Sequence, residues 1–394
     1  MKINTLTSAI VLGLMGSVSI AAQANISLLD YEEATSAYQD AYLTGQFDLS
    51  KNRSDAQSAY KLDLGIDYDR TISSSRRDLT LQAQVNGTVK RDATAGADRT
   101  DNYTASVGAT ADNYFRPNSN GAFWYGAGSI KADDSFDDLQ TKISAGLGYG
   151  RVKNLTAMAK AIRLVQELRT RGVVKSIPSK ATYNKIAQVI AKENEYKSKY
   201  GAREKLYSRY WISDIEKALG NGALGASGVL GARAVLMDER ISTRKSGWKA
   251  RAGIAYVGTD FSGIKDNPGI ELGGEYHRPI SNQTQFSNEA ALLTTFDNKN
   301  SYSLNNKMSL THEIDDRIDW VNSWALNYNH SETDNDKITT NTLSSELIYE
   351  LGSALDLTLK ATVKNSDGND TLSADETADG TDRSVNLGVR YRLK

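Results

Sequence analysis

The sequence predicts an all-β fold, a transmembrane antiparallel β-barrel of about fourteen strands with an inserted α-helical domain. Two observations carry this prediction. Apolar and polar residues alternate with period two through most of the chain, as they do in a strand whose two faces meet different surroundings. Between residues 153 and 241 the alternation stops, and apolar residues recur instead with helical spacing.

The alternating segments are long. In one of them Leu79, Leu81 and Val85 share a face, while Gln82 and Asn86 occupy the other. Strands of about ten residues span a membrane as a barrel, whereas the strands of soluble sandwiches average about five or six. The fourteen segments form an even number, which a closed single-chain bacterial barrel requires. The predicted strands are residues 40–50, 57–70, 77–90, 100–114, 121–132, 139–151, 244–258, 268–280, 284–297, 301–314, 318–330, 340–352, 354–366 and 382–394.

The predicted connections alternate in length. After even-numbered strands they are tight, and two of them, 116–120 and 278–282, repeat the pattern Arg-Pro-x-Ser-Asn, which suits a turn with proline at its second position. After odd-numbered strands they are longer and polar, as in 91–100 and 365–381. Short turns on one side and long loops on the other are typical of outer-membrane barrels.

The first 24 residues have the pattern of a secretory signal peptide. Lys2 precedes an apolar run, and Ala22-Gln23-Ala24 forms a small-residue cleavage site. The predicted domains are therefore the signal peptide 1–24, a first set of barrel strands 25–152, the helical insert 153–241 and a second set of strands 242–394. The chain contains no cysteine, which excludes disulfides and thiolate chemistry.

The insert is predicted to contain three helices. Asn154 caps the first, which ends at Gly172; the second begins after Ser179 and runs to Tyr200; the third carries Leu206 to Leu219, and a glycine-rich run 220–231 is expected to be loose. From residue 153 to 240 there are 17 Lys plus Arg against 8 Asp plus Glu, so the insert is basic. The predicted basic face consists of Lys160, Arg163, Arg169, Arg171, Lys185, Lys192, Arg203 and Arg209.

The last strand carries the most specific motif. Residues 386–393, Asn-Leu-Gly-Val-Arg-Tyr-Arg-Leu, resemble the carboxy-terminal β-signal of Gram-negative outer-membrane barrels, although that signal usually ends on Phe or Trp. The resemblance implies an outer-membrane location, contact with outer-membrane lipid and a porin-like or polymer-exporting channel. An alternative is a non-conducting barrel that anchors an envelope complex, for example one that handles exopolysaccharide.

The insert follows the sixth strand, on the side of the short turns, so we expect it in the periplasm or folded into the lumen. Three interpretations remain open: a satellite domain with a solvated basic surface, a plug or gate, and a docking surface for a periplasmic protein or an anionic polymer. Nucleic acid is not expected as a partner at this location.

Charged residues of inward parity are the candidate lining of a pore. They concentrate on the second, seventh, eighth and last two strands, where opposed charges would orient polar solutes. The candidates are Lys61, Asp63, Asp67, Asp69, Lys249, Arg251, Glu271, Glu275, Lys360, Lys364, Arg390 and Arg392.

The sequence predicts no enzyme, no cofactor and no metal site. Among the three histidines, His330 is adjacent to Ser331, so the two side chains point to opposite faces of a strand. His277 is expected to lack a nearby serine on its face, and His312 has outward parity. No HExxH, CxxC or phosphate-loop pattern occurs.

Overall fold

A computed structural model describes residues 26–32, 35–51, 56–220, 222, 224–239, 241–259, 265–296, 301–331, 336–352, 354–369 and 380–393. The predicted signal peptide lies outside the described residues. No helix among them is long and apolar enough to cross a membrane.

Fourteen antiparallel strands close into a barrel in chain order, which confirms the predicted architecture. The first and last strands pair over a short seam, from Tyr42 opposite Arg392 to Gly45 opposite Val389. The strands are β1 Ser36–Ser50, β2 Ala59–Ser73, β3 Arg77–Arg91, β4 Thr100–Tyr114, β5 Ala122–Asp133, β6 Gln140–Asn154, β7 Lys245–Thr259, β8 Lys265–Pro279, β9 Thr284–Thr295, β10 Ser301–Asp315, β11 Ile318–Ser331, β12 Asp336–Glu350, β13 Leu355–Asn369 and β14 Gly380–Arg392.

The wall has the two faces that period-two alternation predicts. Large apolar side chains cover its outside and remain exposed in the isolated chain, as Ile254 and Val385 do at 73% each. Because such side chains find an apolar solvent only in lipid, this face is the membrane-facing one. The short turns, both ends of the strand sequence and the helical insert share the opposite rim from the long loops, so that rim is the periplasmic one.

The insert contains five helices and a closing π-helical turn, with bounds that differ from the predicted ones in two places. The predicted second helix is divided at Ala191 and Lys192 into two helices, and the glycine-rich run contains a helix instead of a loose segment. The helices are α1 Thr156–Thr170, α2 Lys180–Ile190, α3 Glu193–Tyr200, α4 Glu204–Leu219 and α5 Gly225–Arg233, followed by the π-helical turn Ala234–Asp238.

Local sequence explains the ends of these helices. Ser179 caps α2 by accepting a hydrogen bond from the backbone N–H of Thr182 at 3.2 Å, as predicted. Asn154 is the last residue of β6 rather than the cap residue of α1, but its side chain accepts a hydrogen bond from the N–H of Thr156 at 2.9 Å. After α1, Gly172 adopts the left-handed conformation (φ +70°) that ends helices.

Helix α5 forms in a glycine-rich run and packs beside the end of α1. A Cβ at Gly231 would lie 2.8 Å from Nε of Arg171, so a side chain there would require the flexible Arg171 side chain to shift. Helix propensity disfavours glycine by about 1 kcal/mol per residue, and tertiary contact overrides that cost here.

The insert has its own apolar core, centred on α1. Nine of the fifteen α1 residues are buried, and residues from α2, α4, α5 and the π-helical turn surround them. Leu28 and Tyr31, which precede β1, are buried in the same core. The helical domain is therefore completed by the amino-terminal segment of the barrel chain.

Candidate functional site

The lumen retains open space behind the helical domain. Three cavities of 290, 500 and 580 Å³ are lined by inward-facing side chains of the wall, and none of their described lining residues belongs to α1–α5. The helices therefore lie at the periplasmic mouth instead of filling these cavities. Polar and charged side chains dominate the lining, which makes the space aqueous.

The cavities bring together most of the predicted lining residues. Asp63, Asp67, Lys360 and Arg390 line the 580 Å³ cavity. Five more of the predicted residues line the 500 Å³ cavity: Asp69, Lys249, Arg251, Glu271 and Glu275. Lys61, Lys364 and Arg392 do not line these cavities; Lys61 pairs with Asp63 at 2.9 Å, and Arg392 pairs with Asp40 at 3.2 Å.

An ion network that the sequence did not indicate crosses one sector of the lumen. Lys249 and Arg251 of β7 contact the buried carboxylate of Asp112 on β4, at 2.7 and 3.0 Å. Arg251 also contacts Glu275 at 3.0 Å. Because β4 and β7 are three strands apart in the sheet, these pairs join side chains across the inside of the wall and narrow the lumen there.

Aromatic residues fill the rest of that sector. Tyr114, Phe123 and Tyr125 form a small buried cluster on β4 and β5. The neighbouring strand makes room for it, because a Cβ at Gly148 would overlap the ring of Phe123. Arg151 lies 4.5 Å over the ring of Tyr114 and forms a buried ion pair with Asp78 at 2.8 Å, both outside the predicted set.

A buried ion cluster attaches the helical domain to the turn between β10 and β11. Glu313 accepts contacts from Arg244 at 2.8 Å and from Arg163 of α1 at 3.4 Å, and the N–H of Ser242 donates to it at 2.8 Å. Arg163 also pairs with Asp316. We call Arg163, Ser242, Arg244, Glu313 and Asp316 the Glu313 cluster.

A second attachment lies at the start of β1, four strands from β11 in the ring. The Asn194 side chain of α3 donates a hydrogen bond to the carbonyl of Ala37 at 2.8 Å, and Lys180 of α2 pairs with Asp30 at 2.9 Å. Lys160 of α1 lies within electrostatic range of Asp40 and Arg392, and burial lowers its pKa. With attachments at β1, β7 and the β10–β11 turn, the helical domain bridges the mouth.

The predicted basic face is not a single solvated surface. Lys160 and Arg163 interact with the barrel, and Arg171 pairs with Glu167 on its own helix at 2.6 Å. Lys192 is half-buried. The side chains left exposed are those of Arg169, Lys185, Arg203 and Arg209.

The structure corrects the expectation that His277 has no serine nearby. Its Nδ1 lies 2.9 Å from Oγ of Ser287, which β9 places directly opposite it. Its Nε2 lies 3.7 Å from a carboxylate oxygen of Glu275 and 3.8 Å from one of Glu289. Ser287 and His277 both line the 290 Å³ cavity. Among the described residues, no group of three or more His, Asp or Glu side chains is arranged to hold a metal ion.

These features define the class of protein. A closed wall of fourteen antiparallel strands, an apolar outer face and a polar lumen are those of a Gram-negative outer-membrane β-barrel. This barrel carries, in addition, a helical domain across its periplasmic mouth.

Comparison with known proteins gives one family match, over part of the chain. A family model described as "Protein of unknown function, DUF481" matches residues 226–351, from α5 through β12. No curated protein sequence matches the chain.

Three solved structures are similar to the chain in fold. The outer membrane protein Omp33 of Acinetobacter baumannii is 7% identical, with a TM-score of 0.30 and coverage of 91% of this chain and 98% of that one. The anion-selective porin from Comamonas acidovorans is 9% identical, with a TM-score of 0.33 and coverage of 91% and 100%. The COG4313 outer membrane channel from Pseudomonas putida F1 is 8% identical, with a TM-score of 0.34 and coverage of 94% and 99%. At these values the likeness carries no argument about function.

Proposed function

We propose that the protein is a porin-like outer-membrane channel whose periplasmic mouth is gated by the helical domain. The observation that carries the proposal is the position of the helices: they bridge the mouth through polar contacts, while aqueous cavities lined by charged side chains lie behind them. Because the wall's backbone hydrogen bonds close on themselves, the barrel does not need the helices to remain intact.

At the rim the attachment includes ion pairs and hydrogen bonds, in addition to the apolar contacts of Leu28 and Tyr31 with the helical core. Arg163 is partly exposed, at 22% of its side chain, and so is Asp316, at 61%. Ion pairs with exposed partners are worth at most about 1 kcal/mol, so individual contacts at this rim break and reform readily. The interior of the helical domain is apolar.

Removing the gate tests the proposal. Residues 155–240 are replaced by a short Gly/Ser turn, and conductance is measured in planar bilayers at low and high salt. We expect conductance to rise on deletion. If the helices' exposed Lys and Arg attract anions, the intact protein should favour anions at low salt, and the preference should fade as the Debye length falls from about 30 Å at 0.01 M to about 3 Å at 1 M.

A second candidate function is a scaffold for an envelope complex, as the sequence also suggested. Exposed apolar side chains on the helical domain favour it, with Leu230 at 63% and Leu206 at 42%. A scaffold predicts no conductance with or without the helices, and loss of a co-purifying periplasmic protein on deletion. Equal conductance of both forms contradicts the gate.

A further inference from the structure

We propose that Ser287, His277 and Glu275 form a catalytic triad in the lumen that hydrolyses small esters. This inference does not rest on conduction, because a substrate reaches the site by diffusion into the cavity alone. It rests on four neighbouring groups on the inner faces of β8 and β9: the hydroxyl of Ser287, the imidazole of His277 and the carboxylates of Glu275 and Glu289.

The strand register brings the hydroxyl to the imidazole. His277 and Ser287 are direct partners across the β8–β9 ladder, and both have inward parity. The 2.9 Å separation of Ser287 Oγ and His277 Nδ1 is that of a hydrogen bond. When the serine hydroxyl donates to Nδ1, the neutral imidazole carries its proton on Nε2, so Nδ1 is the general base.

The other imidazole nitrogen faces negative charge. His277 is 2% exposed, and its Nε2 is buried with no hydrogen-bond partner within 3.5 Å among the residues that the structure describes. Glu275 and Glu289 stand next to it, at 3.7 and 3.8 Å. A small approach of either carboxylate completes the hydrogen bond that orients the ring and stabilises the imidazolium formed during attack.

Glu275 is the better placed of the two carboxylates because other side chains hold it. It contacts Arg251 at 3.0 Å and Lys249 at 3.4 Å, and it is much less exposed than Glu289, at 23% against 55%. Glu275 is therefore a positioning residue, which acts on the substrate only through His277.

The cavity supplies room and charge. Ser287 opens onto the 290 Å³ space, whose lining also includes Lys245 and Lys307. Three carboxylates, those of Asp40, Asp69 and Glu289, line the same cavity, so its charges are mixed and do not select an anionic substrate. A lysine ammonium group beside the attacked carbonyl would stabilise the oxyanion that develops there. The volume suits a small ester and excludes a folded polymer.

The chemistry balances with water as the only co-reactant. Ser287 Oγ bonds to the acyl carbon while its proton passes to His277 Nδ1. The carbon–oxygen bond to the alcohol then breaks, and the imidazolium returns the proton to the departing alkoxide. Water, deprotonated by His277, releases the acid and restores Ser287.

A second hydroxyl–imidazole pair, on β9 and β10, lacks two features that the first pair has. Thr284 Oγ1 and His312 Nδ1 are also 2.9 Å apart, but they have outward parity. No ion pair joins His312 to a described carboxylate, and neither residue lines the luminal cavities described above. The pair on β8 and β9 alone combines the hydrogen bond with carboxylates and a cavity.

The test uses the full-length protein in detergent micelles with diisopropyl fluorophosphate, followed by intact-mass and peptide-mass measurement. We expect one adduct, on Ser287, and hydrolysis of p-nitrophenyl acetate above the background rate. Ser287→Ala should abolish both, and His277→Gln should slow both by about 10²-fold or more. Thr284→Ala, which removes the hydroxyl of the outward-facing pair on β9 and β10, is the matched control and should change neither.

Glu275→Gln and Glu289→Gln distinguish positioning from general electrostatics. We expect Glu275→Gln to lower kcat with little change in KM and Glu289→Gln to have the smaller effect, with Glu275→Asp restoring part of the loss. Heat-modifiable migration on gels verifies that each variant is folded. A known serine esterase in the same sample confirms that the probe is active. Absence of the Ser287 adduct in both the intact protein and the gate-weakened Arg163→Gln variant overturns the proposal.

Discussion

Arg244 and Glu313 form a buried ion pair, 2.8 Å from Nη2 to Oε1, where the chain returns from the helical domain to the barrel. Neither side chain is more than 4% exposed, so each depends on the other for its charge to be compensated. Removing one member of such a pair typically costs about 3–5 kcal/mol.

Glu313→Gln should therefore loosen the helical domain while leaving the wall closed. We expect faster cleavage of residues 156–238 by trypsin and unchanged heat-modifiable migration of the barrel. Glu346→Gln is the control, because Glu346 lines the lumen on β12 without a described ion pair. Equal protease resistance of the wild type and Glu313→Gln would contradict this role for the pair.

Arg163→Gln should weaken the gate without burying an unpaired charge, since Arg163 is partly exposed. We expect a higher mean conductance in planar bilayers and unchanged thermal stability of the barrel. Arg169→Gln, on the same helix but exposed and distant from the Glu313 cluster, serves as the control. If the gate does not depend on the Glu313 cluster, Arg163→Gln and Arg169→Gln should have identical conductance.

Leu359 and Lys360 are neighbours on β13 that face opposite ways. Lys360 lines the 580 Å³ cavity, and Leu359 is on the outer face, 45% exposed in the isolated chain. Leu359→Arg should destabilise the barrel by roughly 2–4 kcal/mol if the position is near the bilayer midplane. Lys360→Gln should have little effect. Reversible urea unfolding in lipid vesicles measures both, and equal losses would refute the facing assignment.

Gly148→Ala should disturb the aromatic sector. The added Cβ would overlap Phe123 and lie 2.7 Å from the carbonyl oxygen of Ala250, so strand or ring must shift. Such overpacking typically costs about 1–3 kcal/mol. Gly274→Ala is the control, because nothing lies within 4 Å of a Cβ there. The urea midpoint should fall for Gly148→Ala only.

The amino-terminal attachment should depend on pH through Asp30. Its hydrogen bond from Lys180, with a second from the Ser27 N–H, lowers the pKa of this carboxyl below its usual range. Because the pKa of Asp30 is lower in the folded protein than in the unfolded chain, the stabilisation that this carboxylate provides is fully present above about pH 4. It disappears as the pH falls through the folded-state pKa.

Asp30→Asn should accordingly destabilise the helical domain at pH 7 and make no difference at the acidic end of the titration. Amide hydrogen exchange of α2, compared between the wild type and this variant across pH, measures the effect after correction for intrinsic exchange. A difference that persists at the lowest pH would show that the charge of Asp30 is not what matters.

The wall could be predicted from sequence because alternation, strand length and turn spacing are local. The strand count and closure are confirmed, and the predicted turn at 278–282 lies between β8 and β9 as expected. Counting residues outward along β8 and β9 from the turn that joins them gives the register that pairs His277 with Ser287. This contact could therefore have been predicted from the sequence, and it was missed.

Other contacts had no local signal. Asp112 meets Lys249 three strands away, and nothing in either strand's pattern indicates how far side chains reach across a lumen. Helix α5 forms despite its glycine content because it packs against α1, which is a tertiary effect. The ion pairs of Arg163 with the barrel likewise depend on where the domain docks.

The participation of Leu28 and Tyr31 in the helical core bears on how the barrel is assembled. The seam between β1 and β14 is joined by residues as far apart as Asp40 and Arg392, separated by 352 positions, and it comprises few backbone pairs. The helical core, in contrast, connects the start of β1 to the middle of the chain, so its loop is shorter and costs less entropy to close. We therefore expect the helical core to form before the seam and to position the first strand for closure, so that the wall assembles more slowly, but still closes, when the helices are deleted.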